Sequence, residues 1–398
     1  MKKYIAILGF GVVGSGCAEV IDRNLELIRR KCGFEPTVKY ILDLRDFPES
    51  PYADRVVHDY NVILNDPEVE LVAEMMGGSH PALEFSLAAM NMKKSVVTSN
   101  KEVVSKHGLE LLECAEKNGV YYMFEASVGG GIPIIRTLDT AMQQDDIFEI
   151  DGILNGTTNY ILTRMRDGGL EFDTALAEAK TRGYAEADPS ADIEGIDACR
   201  KIAILSALAF GKLVSAEFIK TEGICKLTAA DVENAKRSNG SVKLIGRAYR
   251  AENRVGAFVS PMFVSASDPL SGIDDVYNGI RIFGNAVGDI MLYGRGAGSL
   301  PTASAVVSDI LNILSGKGVR YHWSGADEAE LIDCENVKAG YRVMLRHRDG
   351  ALECRCTEPM NNSEIGEYLQ KLKAEGNDVV SCLRDLQSER SYMRREEK

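Results

Sequence analysis

The sequence lacks four features that would each have fixed its class: a Cys-x-x-Cys pair, histidines at ligand spacing, an excess of basic residues and a long apolar run. Its nine cysteines are scattered through 398 residues, and the count is odd. In a long acidic chain without a signal-like start, such thiols are expected to be reduced and mostly structural, as in a cytoplasmic protein. Cys354-Arg355-Cys356 is the one close pair, spaced more tightly than zinc sites favour. Lys and Arg number 46 against 59 Asp and Glu, for a net charge of −13. A phosphate backbone needs clustered cations, so a nucleic-acid partner is excluded. No run approaches the roughly 18–20 apolar residues that span a bilayer, so no membrane partner is expected. Met1-Lys2-Lys3 looks like a signal-peptide start, but the apolar run over residues 4–8 breaks at Gly9, too early for a signal core. No internal repeat is visible.

What is present is an alternation of strands and helices. Residues 3–8 read as a strand, followed by the glycine turn Gly9-Phe10-Gly11-Val12-Val13-Gly14. An amphipathic helix follows over about 15–30, with Val20, Ile21, Leu25 and Ile28 on one face. Pro36 punctuates before a strand at 38–42. Further strands are expected at 69–76, ending in Gly77-Gly78, at 95–99, ending at Asn100-Lys101, and at 121–125. Helices fall over 81–90, with Pro81 in the first turn, and around 109–117. This alternation predicts an α/β fold whose N-terminal domain, residues 1–130, is a Rossmann-type, doubly wound parallel sheet.

The pattern changes at the glycine-rich loop 129–133. A second, α+β domain for catalysis and dimerisation is expected over 131–293. It holds a strand at 148–154, the turn Asn155-Gly156-Thr157-Thr158-Asn159, a helix from 160, and a helix over 172–182 closed by Gly183. An acidic loop at 184–192, a helix at 195–210 and strands within 223–264 follow. The loop 294–298 then opens a helix near 302–314, and the stretch 294–320 completes the first domain. Residues 325–398 form a short C-terminal extension with one strand at 340–345, one helix at 363–374 and a charged last nine residues expected to fray.

Several groups carry chemistry. A dinucleotide pyrophosphate needs backbone N–H groups at a helix N-terminus and no side chains in the way. Gly9 allows the tight turn, Gly11 admits the phosphates and Gly14 lets the helix pack on the strand. Phe10, Val12 and Val13 share that turn. A G-x-G-x-x-G alone is weak evidence, but here it follows a strand and opens a helix. Asp43, at the end of the second strand, suits a ribose 2′-hydroxyl and NAD, whereas Arg45 suits a 2′-phosphate and NADP; both also suit an ordinary surface loop. Ser99 and Lys101 lie at the carboxyl end of a strand, where ligands of open sheets collect. Within the signature from Gly183 to Lys201, Asp197 and Lys201 are four apart and share a helix face. Reducing a carbonyl needs a hydride donor and a group that protonates the oxygen. Lys201 suits that role, Asp197 can orient it and Glu186 can hold a substrate ammonium. The plain alternative is an i,i+4 surface pair beside a solvated acidic loop. Asn155 and Thr157 offer amide and hydroxyl groups at a helix N-terminus.

Taken together these motifs resemble homoserine dehydrogenase. The resemblance rests on the glycine turn, Gly77-Gly78-Ser79-His80-Pro81-Ala82, Ser99-Asn100-Lys101, Glu125-Ala126-Ser127-Val128-Gly129-Gly130-Gly131-Ile132-Pro133, Leu154-Asn155-Gly156-Thr157-Thr158-Asn159-Tyr160, the signature from Gly183 to Lys201 and the loop from Gly294 to Thr302. It covers about residues 1–320 in the family's order. It implies reversible NAD(P)H-dependent reduction of L-aspartate 4-semialdehyde to L-homoserine, in the branch leading to threonine and methionine. By match, Lys201 is the general acid/base, Lys101 assists at substrate and nicotinamide, and Glu186 and Asp197 contact substrate, with Asn155 and Thr157 beside them. Gly77, Gly78, Gly183 and Gly298 line the cofactor site. The resemblance also implies a monovalent cation, usually sodium, held by Glu125 and the carbonyls of Val128, Gly130 and Ile132, and a homodimer or larger assembly. The family's effector-binding ACT domain is not visible as a βαββαβ pattern after Gly325. His80 takes no role. Two other readings are a related amino-acid dehydrogenase and a nucleotide-sensing protein without catalysis; the intact Lys101, Asp197 and Lys201 argue against the second.

Overall fold

A computed structural model describes residues 1–327 and 330–396, with side chains described as far as residue 391. The chain divides into two compact units. The first takes Met1–Asp145, Ala207–Ala216 and Gly294–Gly325; the second takes Asp146–Ser206, Glu217–Tyr293 and Ala326–Lys398. The C-terminal segment, expected as a separate extension, is grouped with the second unit.

The first unit holds β1 (Lys2–Leu8), β2 (Glu35–Leu42), β3 (Val56–Val57), β4 (Val69–Glu74), β5 (Ser95–Thr98) and β6 (Tyr122–Met123). They form a sheet of order β3-β2-β1-β4-β5-β6 in which every neighbour is parallel. The strands are apolar runs because helices cover both faces of such a sheet; Ile5, Ala6, Ile7 and Leu8 are all fully buried. The order reverses between β1 and β4, which opens a crevice at the carboxyl ends of the strands. The single helix expected over 15–30 is two, Val12–Arg23 and Leu25–Cys32, broken at Asn24. The apolar stripe runs across the break, so periodicity alone does not show it. Pro36 lies within β2, near its first residue, where a missing N–H is tolerated. The helix expected around 109–117 runs from Lys101 to Asn118, because the Asn100 side chain accepts the Val103 N–H at 3.2 Å and caps its start. The strand expected at 121–125 shrinks to β6, since Glu125–Ser127 turns as a short 3-10 helix.

The second unit is built on one mixed sheet. Its strands run Gly288–Arg295, Tyr277–Gly284, Ile147–Ile153, Gly240–Ala251, Arg254–Ser265, Asp378–Asp385, Tyr341–Arg346 and Leu352–Cys356 in spatial order. The stretch read as strands within 223–264 also holds a helix, Ala229–Arg237, whose Thr228 and Asp231 form a capping box. The C-terminal segment supplies strand, strand, helix, strand, helix and joins the sheet through parallel pairing of Met262 and Phe263 with Arg384 and Asp385. Among the described residues it has no βαββαβ order of its own. The expectation that the last nine residues fray is corrected for the part described. The helix Leu386–Glu396 runs into them and places Arg390, the first of the nine, in the interior, 7% exposed, among Glu149, Asp151 and Asp268; Glu389 just before it is 0% exposed and bonded to Arg247. Glu397 and Lys398 lie outside the described residues. No helix among the described residues is long and apolar enough to cross a membrane.

Candidate active site

Each unit carries part of the expected chemistry. In the first, Gly9 has φ +87°, and a Cβ there would meet the Met75 carbonyl oxygen and Met76 Cα at 2.9 Å. A Cβ on Gly14 would fall 2.0 Å from the Gly9 carbonyl oxygen, so the helix start packs on the turn only with glycine. Gly11 is different: a Cβ there would meet nothing within 4 Å. It faces open space at the N-terminus of Val12–Arg23, where a pyrophosphate would sit. Gly298, with φ +118°, belongs to the same corner, because the Ser299 hydroxyl donates to the Val12 carbonyl at 2.8 Å.

Asp43 and Arg45, which pointed to different cofactors, hold each other. Arg45 Nε donates to Asp43 Oδ1 and Arg45 Nη2 to Oδ2, both at 3.0 Å, while the Phe10 N–H donates to Oδ2 at 2.8 Å. The Arg45 hydrogen bonds hold the Asp43 carboxyl down at about 2. His58 completes the corner, its Nδ1 2.8 Å from the Asp43 carbonyl oxygen and its Nε2 3.1 Å from Asp46 Oδ1. These residues line one pocket with Gly9, Gly11 and Gly77. Sequence reasoning missed His58; the short β3 beside β2, pairing Leu42 with Val57, is what brings it there.

Gly77 and Gly78, with φ +85° and +72°, form the loop after β4 and are exposed. Lys101 opens its helix half-buried, its N–H bonded to the Ser99 carbonyl at 3.1 Å. The Asn100 side chain donates to the Gly78 carbonyl at 2.7 Å, so the two loops are tied.

The expected cation loop also lies in this unit. Glu125 is 2% exposed, and its two carboxylate oxygens accept the N–H groups of Ile135 and Arg136 at 2.9 Å each. Burial raises its pKa. Arg136 Nε lies 4.0 Å from Oε2. Val128, Gly130 and Ile132 are buried beside it, and a Cβ on Gly130 would fall 2.6 Å from the Gly296 carbonyl group. The buried Ser127 hydroxyl has no hydrogen-bond partner among the described residues. No group of three or more His, Cys, Asp or Glu that could hold a metal ion occurs among the described residues. Asp309 was missed from sequence. It accepts the Glu125 N–H at 2.9 Å and Arg136 Nη2 at 3.0 Å, and burial pushes its carboxyl up to about 7.

In the second unit the structure overturns the surface-pair reading of Asp197 and Lys201. Their side chains are 4% and 8% exposed. Lys201 Nζ donates to Asp197 Oδ2 and to the Leu154 carbonyl, both at 2.7 Å. Asn155 Nδ2 donates to Asp197 Oδ2 at 2.9 Å and to Asp192 Oδ1 at 2.7 Å, while its Oδ1 accepts the Thr158 N–H and caps the helix Gly156–Gly168. Asp192, which had no assigned role, is therefore part of the cluster; burial, then the Asp197 charge, raises its pKa. Thr157 Oγ1 donates to the Tyr184 carbonyl at 2.7 Å and ties the acidic loop to the same helix. Gly183, φ +73°, ends the helix Phe172–Thr181. Glu186 is exposed on the loop. A buried ammonium fixed by a carboxylate, a carbonyl and an amide network is a positioned proton carrier.

Comparison with known proteins matches residues 9–125 to the NAD-binding domain of homoserine dehydrogenase and residues 133–311 to the homoserine dehydrogenase domain. The homoserine dehydrogenase of Synechocystis is 42% identical over 326 residues, 79% of this chain and 74% of that protein. The crystal structure of a homoserine dehydrogenase from Thiobacillus denitrificans superposes with a TM-score of 0.88 at 33% identity, covering 97% of this chain and 98% of that one. A hyperthermophilic archaeal homoserine dehydrogenase mutant in complex with NADPH gives 0.67 at 29% identity, covering 79% and 98%.

Proposed function

The chain belongs to the homoserine dehydrogenase family and is an NAD(P)-dependent oxidoreductase; from that premise we propose how its residues divide the reversible reduction of L-aspartate 4-semialdehyde to L-homoserine. The observation that carries the assignment is the buried Lys201 ammonium held at 2.7 Å by Asp197 and the Leu154 carbonyl. In the reducing direction Lys201 gives a proton to the aldehyde oxygen; in the oxidising direction its amine takes the proton from the hydroxyl. Bound NAD(P)H supplies the hydride to the carbonyl carbon. Asp197 and Asn155 keep Lys201 in place, Glu186 meets the substrate ammonium, and Thr157 holds the acidic loop. Lys101 assists at substrate and nicotinamide, beside Ser99.

The glycine turn of Gly9, Phe10, Gly11, Val12, Val13 and Gly14 holds the pyrophosphate, with Gly77, Gly78, Gly183 and Gly298 lining the site. Asp43 receives ribose hydroxyls and Arg45 meets a 2′-phosphate, so both dinucleotides are served. Glu125 with the carbonyls of Val128, Gly130 and Ile132 would hold a sodium-like ion, which would brace the loop electrostatically. The protein acts in the cytoplasm, in the branch toward threonine and methionine. It assembles as at least a dimer through the second unit, where Met291 and Tyr293 stand exposed on an edge strand.

Purified protein is expected to oxidise L-homoserine with NAD⁺ or NADP⁺ at alkaline pH. Absence of turnover with either cofactor in a folded sample overturns the reading, and a substrate panel separates it from another amino-acid dehydrogenase.

A further inference from the structure

Glu74, the last residue of β4, is a fully buried carboxylate that the chemistry above does not use. Its Oε1 accepts the Met76 N–H at 2.8 Å and its Oε2 accepts the Thr98 hydroxyl at 2.6 Å. Thr98 Oγ1 itself accepts the Asn100 N–H at 2.9 Å, so its proton must point at Glu74. Burial pushes the Glu74 carboxyl up, and its two partners, the Met76 N–H and the Thr98 hydroxyl, are both donors, so each oxygen must accept.

The position matters because of the sheet. The glycine turn follows β1 and the ribose corner follows β2, so the second half of a dinucleotide lies over the ends of β4 and β5, across the switch point. Glu74 sits between those two ends. One oxygen fixes the Met76–Gly77 backbone, which lines the dinucleotide pocket. The other fixes Thr98 and through it Asn100, the cap of the helix that Lys101 begins. We propose that Glu74 is a positioning residue that sets the loop Met76 to Gly78 and Lys101 in one register against the nicotinamide. This rests on the reading of Lys101 as an assisting group.

The test uses the full chain with Glu74→Gln, Thr98→Val, Lys101→Ala and the double variant of Glu74→Gln with Lys101→Ala. Melting temperature, dinucleotide affinity by NADPH fluorescence, and kcat for homoserine oxidation are measured for each. A Gln presents an NH₂ where a second acceptor is needed. Glu74→Gln is expected to lower kcat by about tenfold to a hundredfold and to weaken NADPH binding while the protein stays folded. Thr98→Val removes one donor, keeps the carboxylate, and should move both quantities the same way by less; it also serves if Glu74→Gln fails to fold. The double variant should be no slower than Lys101→Ala, because a misplaced lysine and a missing one are the same loss. Unchanged kcat and affinity in folded Glu74→Gln and Thr98→Val, or full additivity in the double variant, overturns the proposal. Wild-type rate in Lys101→Ala alone overturns the assisting role of Lys101 instead; Glu74 is then judged on the NADPH affinity of Glu74→Gln, which is read without turnover.

Discussion

Asp43 with Arg45 and Asp197 with Lys201 are each an acid followed within four residues by a base, and in the sequence they look alike. In the fold they differ in one respect that decides their use. Arg45 is 64% exposed, whereas Lys201 is 8% exposed and its acid 4%. An exposed guanidinium in water is screened and mobile, so it recognises a charge that arrives. A buried ammonium is held by fixed partners in a medium of low dielectric, so its proton is delivered at one point. On the proposed reading, the same pairing serves binding at the rim and chemistry in the interior.

The largest effect tests the interior pair. Lys201→Ala should lower kcat by about 10²–10⁴-fold, the range of a lost general acid, while NADPH binding is retained. Full rate in that variant would remove the proton-transfer role and with it the contrast.

Burial alone does not make a catalytic pair, and a third site sharpens the point. Glu389 is fully buried and bonded to Arg247 at 2.5 Å and Arg384 at 2.7 Å, with no link to the Lys201 cluster among its bonds. Glu389→Ala leaves two guanidiniums without that partner, which should lower stability by about 3–5 kcal/mol in urea unfolding. Rate per folded molecule should hold. A stability change within about 0.5 kcal/mol, the usual scale of surface changes, would show that the C-terminal helix is not part of the core.

At the rim, Arg45→Ala should raise KM for NADP⁺ by about tenfold and change KM for NAD⁺ little, because only the 2′-phosphate needs a charge-assisted partner. Equal shifts for the two cofactors would assign Arg45 to the ribose generally.

How much of this was legible in the sequence follows the range of each signal. The glycine turn and the alternation of strands and helices are local, and the doubly wound sheet followed from them. The Lys201 pair was legible as a shared helix face, but its burial was not, since that depends on Asn155 and Asp192 arriving from other segments. His58 and Asp309 act through contacts across 15 and 184 residues, which no spacing rule reports. The C-terminal segment was least legible. Its strand Asp378–Asp385 pairs with a hairpin more than a hundred residues earlier, and Arg390 read as part of a charged tail because its partners lie on distant segments.

The smallest expected effect belongs to acid. Asp43 has its carboxyl held at about 2, below the ordinary 3.8, first by hydrogen bonds from Arg45. A group depressed on folding stabilises the fold above its unfolded pKa, and that contribution is lost as pH falls through the folded value. The loss for Asp43 therefore falls between about pH 4 and pH 2. Arg45→Ala removes the leading cause, so the Asp43 titration should move up toward the ordinary carboxylate value, while the Phe10 N–H bond at 2.8 Å keeps part of the shift. Titration of the Asp43 carboxyl carbon by NMR in both proteins reads this directly. An unmoved midpoint would mean that the backbone of the glycine turn, rather than the exposed guanidinium, holds Asp43 ionised, and the rim pair would then owe its charge to the fold as the interior pair does.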